Sequence, residues 1–236
     1  MLTIIHGTDI SASRKFFNDQ KNSIPDCLTL EADAVTITDL MQILETGGLF
    51  GERKHLFIEQ FITKKKKSHE YKIISQYLSE KSEDNTIVLW EGKEIELSGI
   101  KSIKNATAKI FSLPQTLFQL LDSIKPGNNV QLISLFHQTI KNAEAEMVFS
   151  MLVRHFRILL ALKENLPNKP IEEIQKMQAN PRQQWLVSKM SKQSAQFTTA
   201  QLQERYQQLF LIDVGQKTGS LPTNLVTAID FFLLEV

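Results

Sequence analysis

The sequence predicts an α/β domain followed by an all-α region, and three observations carry that prediction. Short β-branched and apolar runs alternate with amphipathic segments as far as residue 111, the pattern of a parallel sheet crossed by helices on both faces. Positions 86–90 read Thr-Ile-Val-Leu-Trp without a polar interruption after Thr86, as a central parallel strand buried on two sides requires. After Pro114 no strand pattern returns, and apolar residues recur at helical spacing to the end of the chain. The expected boundary therefore separates a domain at 1–113 from one at 114–236.

Each element has a local reason. Residues 2–5 form a short apolar strand that ends at Gly7, and Ser11 or Ser13 is placed to cap the helix that follows, with Phe16 and Phe17 inward. Residues 27–30 give a second strand. A helix is expected over 38–45, with Thr38 at its N-cap, Leu40, Ile43 and Leu44 on one face, and Gly47 as its stop. Strands follow at 55–58, 86–90 and 108–111, and a helix over 71–78 turns Ile74, Tyr77 and Leu78 to one side.

In the second half, helices are expected over 116–124, 130–140 and 144–164. The last of these turns Val148, Met151, Leu152, Phe156, Leu159 and Leu160 inward. Pro167 and Pro170 break the chain. Pro181 is placed in the first turn of the next helix, which carries Trp185, Leu186 and Met190. A long helix over 199–217 stops at Gly219, and Pro222 opens the final one, with Leu225, Ala228, Ile229 and Phe232 inward.

Composition excludes several classes. The chain has 236 residues, of which 42% are hydrophobic, which supports a core and argues against disorder. A net charge of +1 argues against a protein that coats DNA through its overall charge. Cys27 is the single cysteine, so neither an intramolecular disulfide nor a cysteine-based zinc site is available. The first residues lack a basic stretch and a long apolar run. No apolar segment reaches the roughly 18 to 20 residues that span a bilayer. A soluble cytoplasmic protein is expected.

The segment Gly47-Gly48-Leu49-Phe50-Gly51-Glu52-Arg53 sets two large apolar residues between glycines, after a helix and before a strand. Glycine allows a sharp bend, on which Leu49 and Phe50 stand outward as an anchor for an apolar pocket on a partner; burial beneath the sheet is the competing interpretation. A phosphate loop would need G-x-x-x-x-G-K-[ST] after the first strand. Counting from Gly7, the three diagnostic positions hold Ala12, Ser13 and Arg14, and Asp9 adds negative charge.

Glu91 follows the fourth strand, where a lone carboxylate can serve magnesium chemistry; without a phosphate loop it is expected to face solvent. The five histidines show no metal-ligand spacing, and no nucleophile motif is visible, so no metal, cofactor or catalytic residue is expected. The run Lys64, Lys65, Lys66, Lys67 reads as a solvated loop or as a candidate contact to a DNA backbone. Arg154, His155 and Arg157 read as a solvated stripe, or else as a face toward a nucleic acid or a partner subunit, and Asp213 with Lys217 as a surface ion pair.

Four segments together resemble the delta subunit of bacterial DNA polymerase III, a clamp-loader subunit that binds and opens the sliding clamp. These are Ile4-Ile5-His6-Gly7-Thr8-Asp9, the stretch from Gly48 to Ile58, the strand at 86–90, and Asp213 with Lys217 and Gly219. The resemblance implies a five-stranded AAA+-like parallel sheet without ATPase motifs, then a helical collar-like domain. It implies no cofactor and, as partners, the sliding clamp (beta), other loader subunits and primer-template DNA. It also implies that Leu49 and Phe50 form the clamp-binding wedge, supported or flanked by Leu40, Met41, Leu44 and Arg53. The fifth strand runs almost directly into the helical half, so the lid domain of the family has little room. Two alternatives stand beside this: a nucleotide-dependent enzyme with an atypical phosphate loop at 7–14, and a nucleic-acid-binding protein acting through Lys64 to Lys67.

Overall fold

The computed structural model describes residues 1–45, 53–164, 172–181 and 183–236. By its internal contacts the chain divides into two compact units, Met1–Leu113 and Pro114–Val236.

The first unit contains a five-stranded sheet. Its strands are β1 (Leu2–Gly7), β2 (Cys27–Glu31), β3 (His55–Glu59), β4 (Thr86–Trp90) and β5 (Ala106–Phe111), in spatial order β2-β3-β4-β1-β5. Every pairing is parallel, with Leu2 opposite Ile87 on one side and Ala106 on the other. The five-stranded parallel sheet with flanking helices, followed by a helical region, is the fold class expected. Helices α1 (Ile10–Asn22), α2 (Ile37–Glu45), α3 (Phe61–Lys65), α4 (Tyr71–Lys81) and α5 (Leu97–Lys101) connect the strands.

Alternation along each strand splits the core into two layers, because successive side chains point to opposite faces. On one face Ile5, Phe57, Val88 and Trp90 pack against Phe17 of α1. On the other, Leu2, Ile4, Leu56, Ile58, Ile87 and Leu89 pack with Leu40, Phe61, Ile74 and Leu78. The central β4 is buried from Ile87 to Trp90, as its unbroken apolar run requires.

Several element ends differ from expectation. Asp9, rather than Ser11 or Ser13, caps α1: its carboxylate accepts from the Ala12 N–H at 2.9 Å. Ser13 is fully buried and its hydroxyl donates to the Ile10 carbonyl. Thr36, rather than Thr38, caps α2: its hydroxyl accepts from the Asp39 N–H, and Asp39 accepts from the Thr36 N–H and hydroxyl. That is a reciprocal capping box with Asp in the usual Glu position. The expected stop at Gly47 lies outside the described residues.

The second unit contains α6 (Gln115–Asp122), α7 (Asn129–Thr139), α8 (Ala145–Glu164), α9 (Glu172–Ala179), α10 (Gln184–Ser194), α11 (Thr199–Thr218) and α12 (Leu225–Leu234). Helix α8 is its axis, packing on α10, α11 and α12. Phe156 of α8 is fully buried, and its ring meets Phe232 edge-on at 5.3 Å between centroids. Helix α11 begins at a capping box formed by Thr198 and Gln201 and ends at Gly219 with φ +71, the left-handed stop that glycine supplies.

Two prolines sit earlier than expected. Pro181 lies in the turn before α10, and Asn224, not Pro222, caps α12 through the Thr227 N–H at 2.9 Å. Pro167 and Pro170 lie outside the described residues.

Candidate functional site

The carboxyl ends of the strands gather the polar residues of the first unit. Gly7 closes β1 with φ +147, and a Cβ there would stand 1.8 Å from the Phe111 carbonyl oxygen. This close approach leaves Thr8 and Asp9 to join β1 to α1. The Asp9 N–H donates to the Phe111 carbonyl at 3.0 Å, and the Thr8 hydroxyl accepts from the Leu113 N–H at 3.0 Å.

An anion-binding loop works by presenting free N–H groups at a helix N-terminus; here the Asp9 carboxylate occupies that terminus. Arg14, at the former Ser/Thr position of the motif, lies 2.7 Å from Glu59 and stacks 3.4 Å above the centroid of Trp90. Asp9 and the Arg14–Glu59 pair thus set the protein's own charges beside the first helix. Among the described residues no group of three or more His, Cys, Asp and Glu is placed to hold a metal ion.

Leu49 and Phe50 lie outside the described residues, but both flanks of their segment are fixed. On the near side, Leu40 is fully buried and Leu44 is 8% exposed, both within the core cluster. Met41, on the outer face of α2, is 43% exposed. The last residue of α2, Glu45, lies 3.0 Å from Lys81 and accepts from the Tyr77 hydroxyl at 3.1 Å. The Lys81 and Tyr77 hydrogen bonds hold the Glu45 carboxyl below its ordinary range, and burial pushes the Tyr77 phenol up to about 12. On the far side Arg53 is exposed, and Lys54 leads into β3 with its N–H on the Asn85 side chain at 3.0 Å.

Glu91 does not face solvent as expected. It is fully buried, and its carboxylate accepts from the Ile62 N–H at 2.7 Å, the Thr63 N–H at 3.0 Å and the Thr63 hydroxyl at 2.6 Å. These amides belong to the first turn of α3, so Glu91 satisfies donors that the helix itself cannot. Burial pushes its carboxyl above the usual range, against the pull of the three donors.

The lysine run is therefore not a plain loop. Lys64 and Lys65 belong to α3, Lys66 is its C-terminal cap, and Lys64 pairs with Asp33.

In the second unit the stripe Arg154, His155, Arg157 divides. Arg154 and Arg157 reach the Glu173 carboxylate, Arg157 at 2.6 Å, while His155 is buried. The Gln193 amide donates to the Leu121 and Ile124 carbonyls, both at 2.8 Å. That fixes its oxygen toward His155 Nε2 at 3.0 Å, so Nε2 carries the proton. Burial holds this imidazole down to about 4. Asp213 and Lys217 form the expected surface pair at 2.7 Å.

Exposed apolar side chains concentrate on the last two helices: Phe210, Leu211 and Val214 on α11, and Phe231 and Leu234 on α12. An apolar groove of about 310 Å³ runs between these helices, lined by Leu211, Ile212, Leu221, Ala228 and Phe231. No described helix is long and apolar enough to cross a membrane.

Comparison with known proteins covers nearly the whole chain. The family described as DNA polymerase III, delta subunit matches residues 14–112, and the family described as DNA polymerase III delta subunit, C-terminal domain, matches residues 114–236. No curated protein matches the sequence. Among solved structures the chain is similar to the Bacillus subtilis DNA clamp loader delta protein. The identity is 12% and the TM-score 0.43, over 99% of this chain and 94% of that one.

Proposed function

Because the chain belongs to the DNA polymerase III delta subunit family, we propose that it is a cytoplasmic clamp-loader subunit that binds the sliding clamp through Leu49 and Phe50 and favours the open ring. The observation that carries this reading is the fixed pair of flanks around the segment. Glu45 is tied to Tyr77 and Lys81, and β3 is locked between β2 and β4. Anchors fixed on both sides lower the cost of ordering that an apolar pair between them would incur on entering a partner's pocket.

Met41 and Arg53, both exposed, flank the contact, and Leu40 and Leu44 brace it from the core. A wedge that fits the open clamp better than the closed one shifts the ring toward opening by the difference in its two affinities. The capped first helix and the Arg14–Glu59 pair favour this over a nucleotide-dependent enzyme. The exposed apolar faces of α11 and α12 are of the kind that mark association surfaces, and here they would pack on the helical domains of neighbouring loader subunits, with primer-template DNA held by the assembled complex.

Full burial of a leucine and a phenylalanine stabilises a complex by roughly 1.5–3 kcal/mol each. Leu49→Ala/Phe50→Ala is therefore expected to weaken retention of the cognate clamp by about a hundredfold or more in a pull-down or surface-binding titration. A folded double variant that holds the clamp as tightly as the parent would refute the wedge.

A further inference from the structure

Helices α6, α8, α9 and α10 of the second unit line a pocket of about 100 Å³. Three of the chain's six methionines meet there: Met151 from α8, Met177 from α9 and Met190 from α10. Met177 and Met190 are buried and Met151 is half-buried. Met151 and His155 stand four residues apart, on one face of α8, and the imidazole lines the same pocket.

That imidazole is arranged as a ligand would be. The Leu121 and Ile124 carbonyls pin the Gln193 amide, and its oxygen receives the Nε2 proton of His155. Nδ1 is then a lone pair, and among the described residues nothing donates to it. A metal-bound histidine characteristically gives its other N–H to a fixed acceptor, which sets tautomer and ring angle before the ion arrives. Gln193, itself buried, supplies that acceptor.

The donors around the pocket select the ion. Thioether sulfur is soft, and with imidazole it suits Cu(I), whereas Mg, Ca and Mn take carboxylate and carbonyl oxygen. The carboxylate that lines the pocket, Asp122, is held by Lys189 at 2.6 Å, and Arg154 is held by Glu173. The rim therefore adds no net charge, and a single positive charge is the least costly to bring in. The space equals about three waters of liquid volume. It is too small for a hard cation with its hydration shell, and well below the size of an ordinary small-molecule site.

We propose that this pocket binds a soft monovalent cation, Cu(I) or Ag(I), through the thioethers of Met151, Met177 and Met190 and through His155 Nδ1. The site uses neither acids nor thiols as ligands. It takes nothing from the family reading and stands whether or not Leu49 and Phe50 hold the clamp. Cys27, the single thiol, belongs to the first unit, and its removal leaves the proposed ligands intact.

The test is a titration of silver nitrate into the full chain carrying Cys27→Ser, in chloride-free buffer, with isotope-labelled methionine methyl groups followed by NMR. One Ag(I) per chain is expected to bind and to move the signals of Met151, Met177 and Met190. Met41 and Met147 lie outside the pocket, and their signals are expected to stay in place. By calorimetry, Met177→Leu/Met190→Leu in the same background is expected to bind at least tenfold more weakly. That exchange nearly conserves volume, so the fold is kept. His155→Gln is expected to lose a similar factor, and Met147→Leu none. Zinc nitrate in place of silver nitrate is expected to leave the three signals unmoved. Four results would overturn the site. These are no saturable movement of the three signals, equal movement at Met41 and Met147, undiminished affinity in Met177→Leu/Met190→Leu, and binding of zinc as tight as that of silver.

Discussion

Each unit of the protein buries a polar network at a helix end, and the two are built for opposite ends. In the first, the Glu91 carboxylate receives three donors at the start of α3. In the second, the Gln193 amide feeds two carbonyls at the end of α6 and receives His155. Free N–H groups call for an acceptor, and free carbonyls call for a donor. An ionisable acid therefore serves one site and a neutral amide the other. The difference teaches that a short helix such as α3, five residues long, borrows its order from a buried partner, while a longer bundle helix needs only its last carbonyls met.

Removing the acid should cost most. Glu91→Ala leaves the amides of Ile62 and Thr63 and the Thr63 hydroxyl without their acceptor, and a buried unmet donor costs about 1–3 kcal/mol. A loss of about 4 kcal/mol is expected in urea denaturation followed by a probe in the α/β unit. If Glu91→Ala is as stable as the parent, the comparison breaks at its first term.

Acidification should come next, and it acts on the other unit. His155 is held down to about 4 from 6.5, so below pH 6.5 the unfolded chain takes up a proton that the folded chain refuses. Stability is therefore full above 6.5 and falls as the pH drops toward 4, by about 3 kcal/mol at 1.36 kcal/mol per unit. His155→Gln should flatten that decline when melting temperature is followed against pH. Glu91 has the opposite sense. Its carboxyl is raised, so its contribution is greatest below the ordinary glutamate range and is lost as the pH rises through the folded value. Glu91→Gln should remove that dependence.

The smallest effect sharpens the contrast between buried and exposed caps. Thr198 caps α11 at the surface, where water can replace it. Thr198→Ala should cost only about 1 kcal/mol, readable as a shift of a few degrees in melting temperature.

Much of the architecture was legible in the sequence, for reasons visible in single residues. The strand at 86–90 announces itself by an apolar run too short for a helix and lacking alternation, and it lies at the buried centre of the sheet. Gly219 marks a helix end because few other residues accept its backbone angle. Helices α3 and α5, five residues each, were not legible because they are too short to show a period. Helix α9 is marked only by Ile174 and Met177.

Glu91 could not be read because its partners lie 28 and 29 residues earlier, and nothing near it in sequence signals a helix start. His155 could have been. Leu152, His155, Phe156 and Leu159 fall at i, i+3, i+4 and i+7, and all four are buried. The adjacent arginines drew attention to charge, though Arg154 and Arg157 lie on a different side of the helix.

The strand order carries a consequence for synthesis. β1 pairs with β4 and β5, so of the five strands it waits longest during synthesis for its neighbours. Until residue 90 has emerged, Leu2, Ile4 and Ile5 travel as an unclaimed greasy ribbon, and one edge of β1 stays open until residue 111 follows. Such distant pairings close slowly and are open to wrong partners meanwhile. The nascent N-terminal half is therefore the stage at which a chaperone would matter most, and the helical half, made of near neighbours, can fold quickly once it follows.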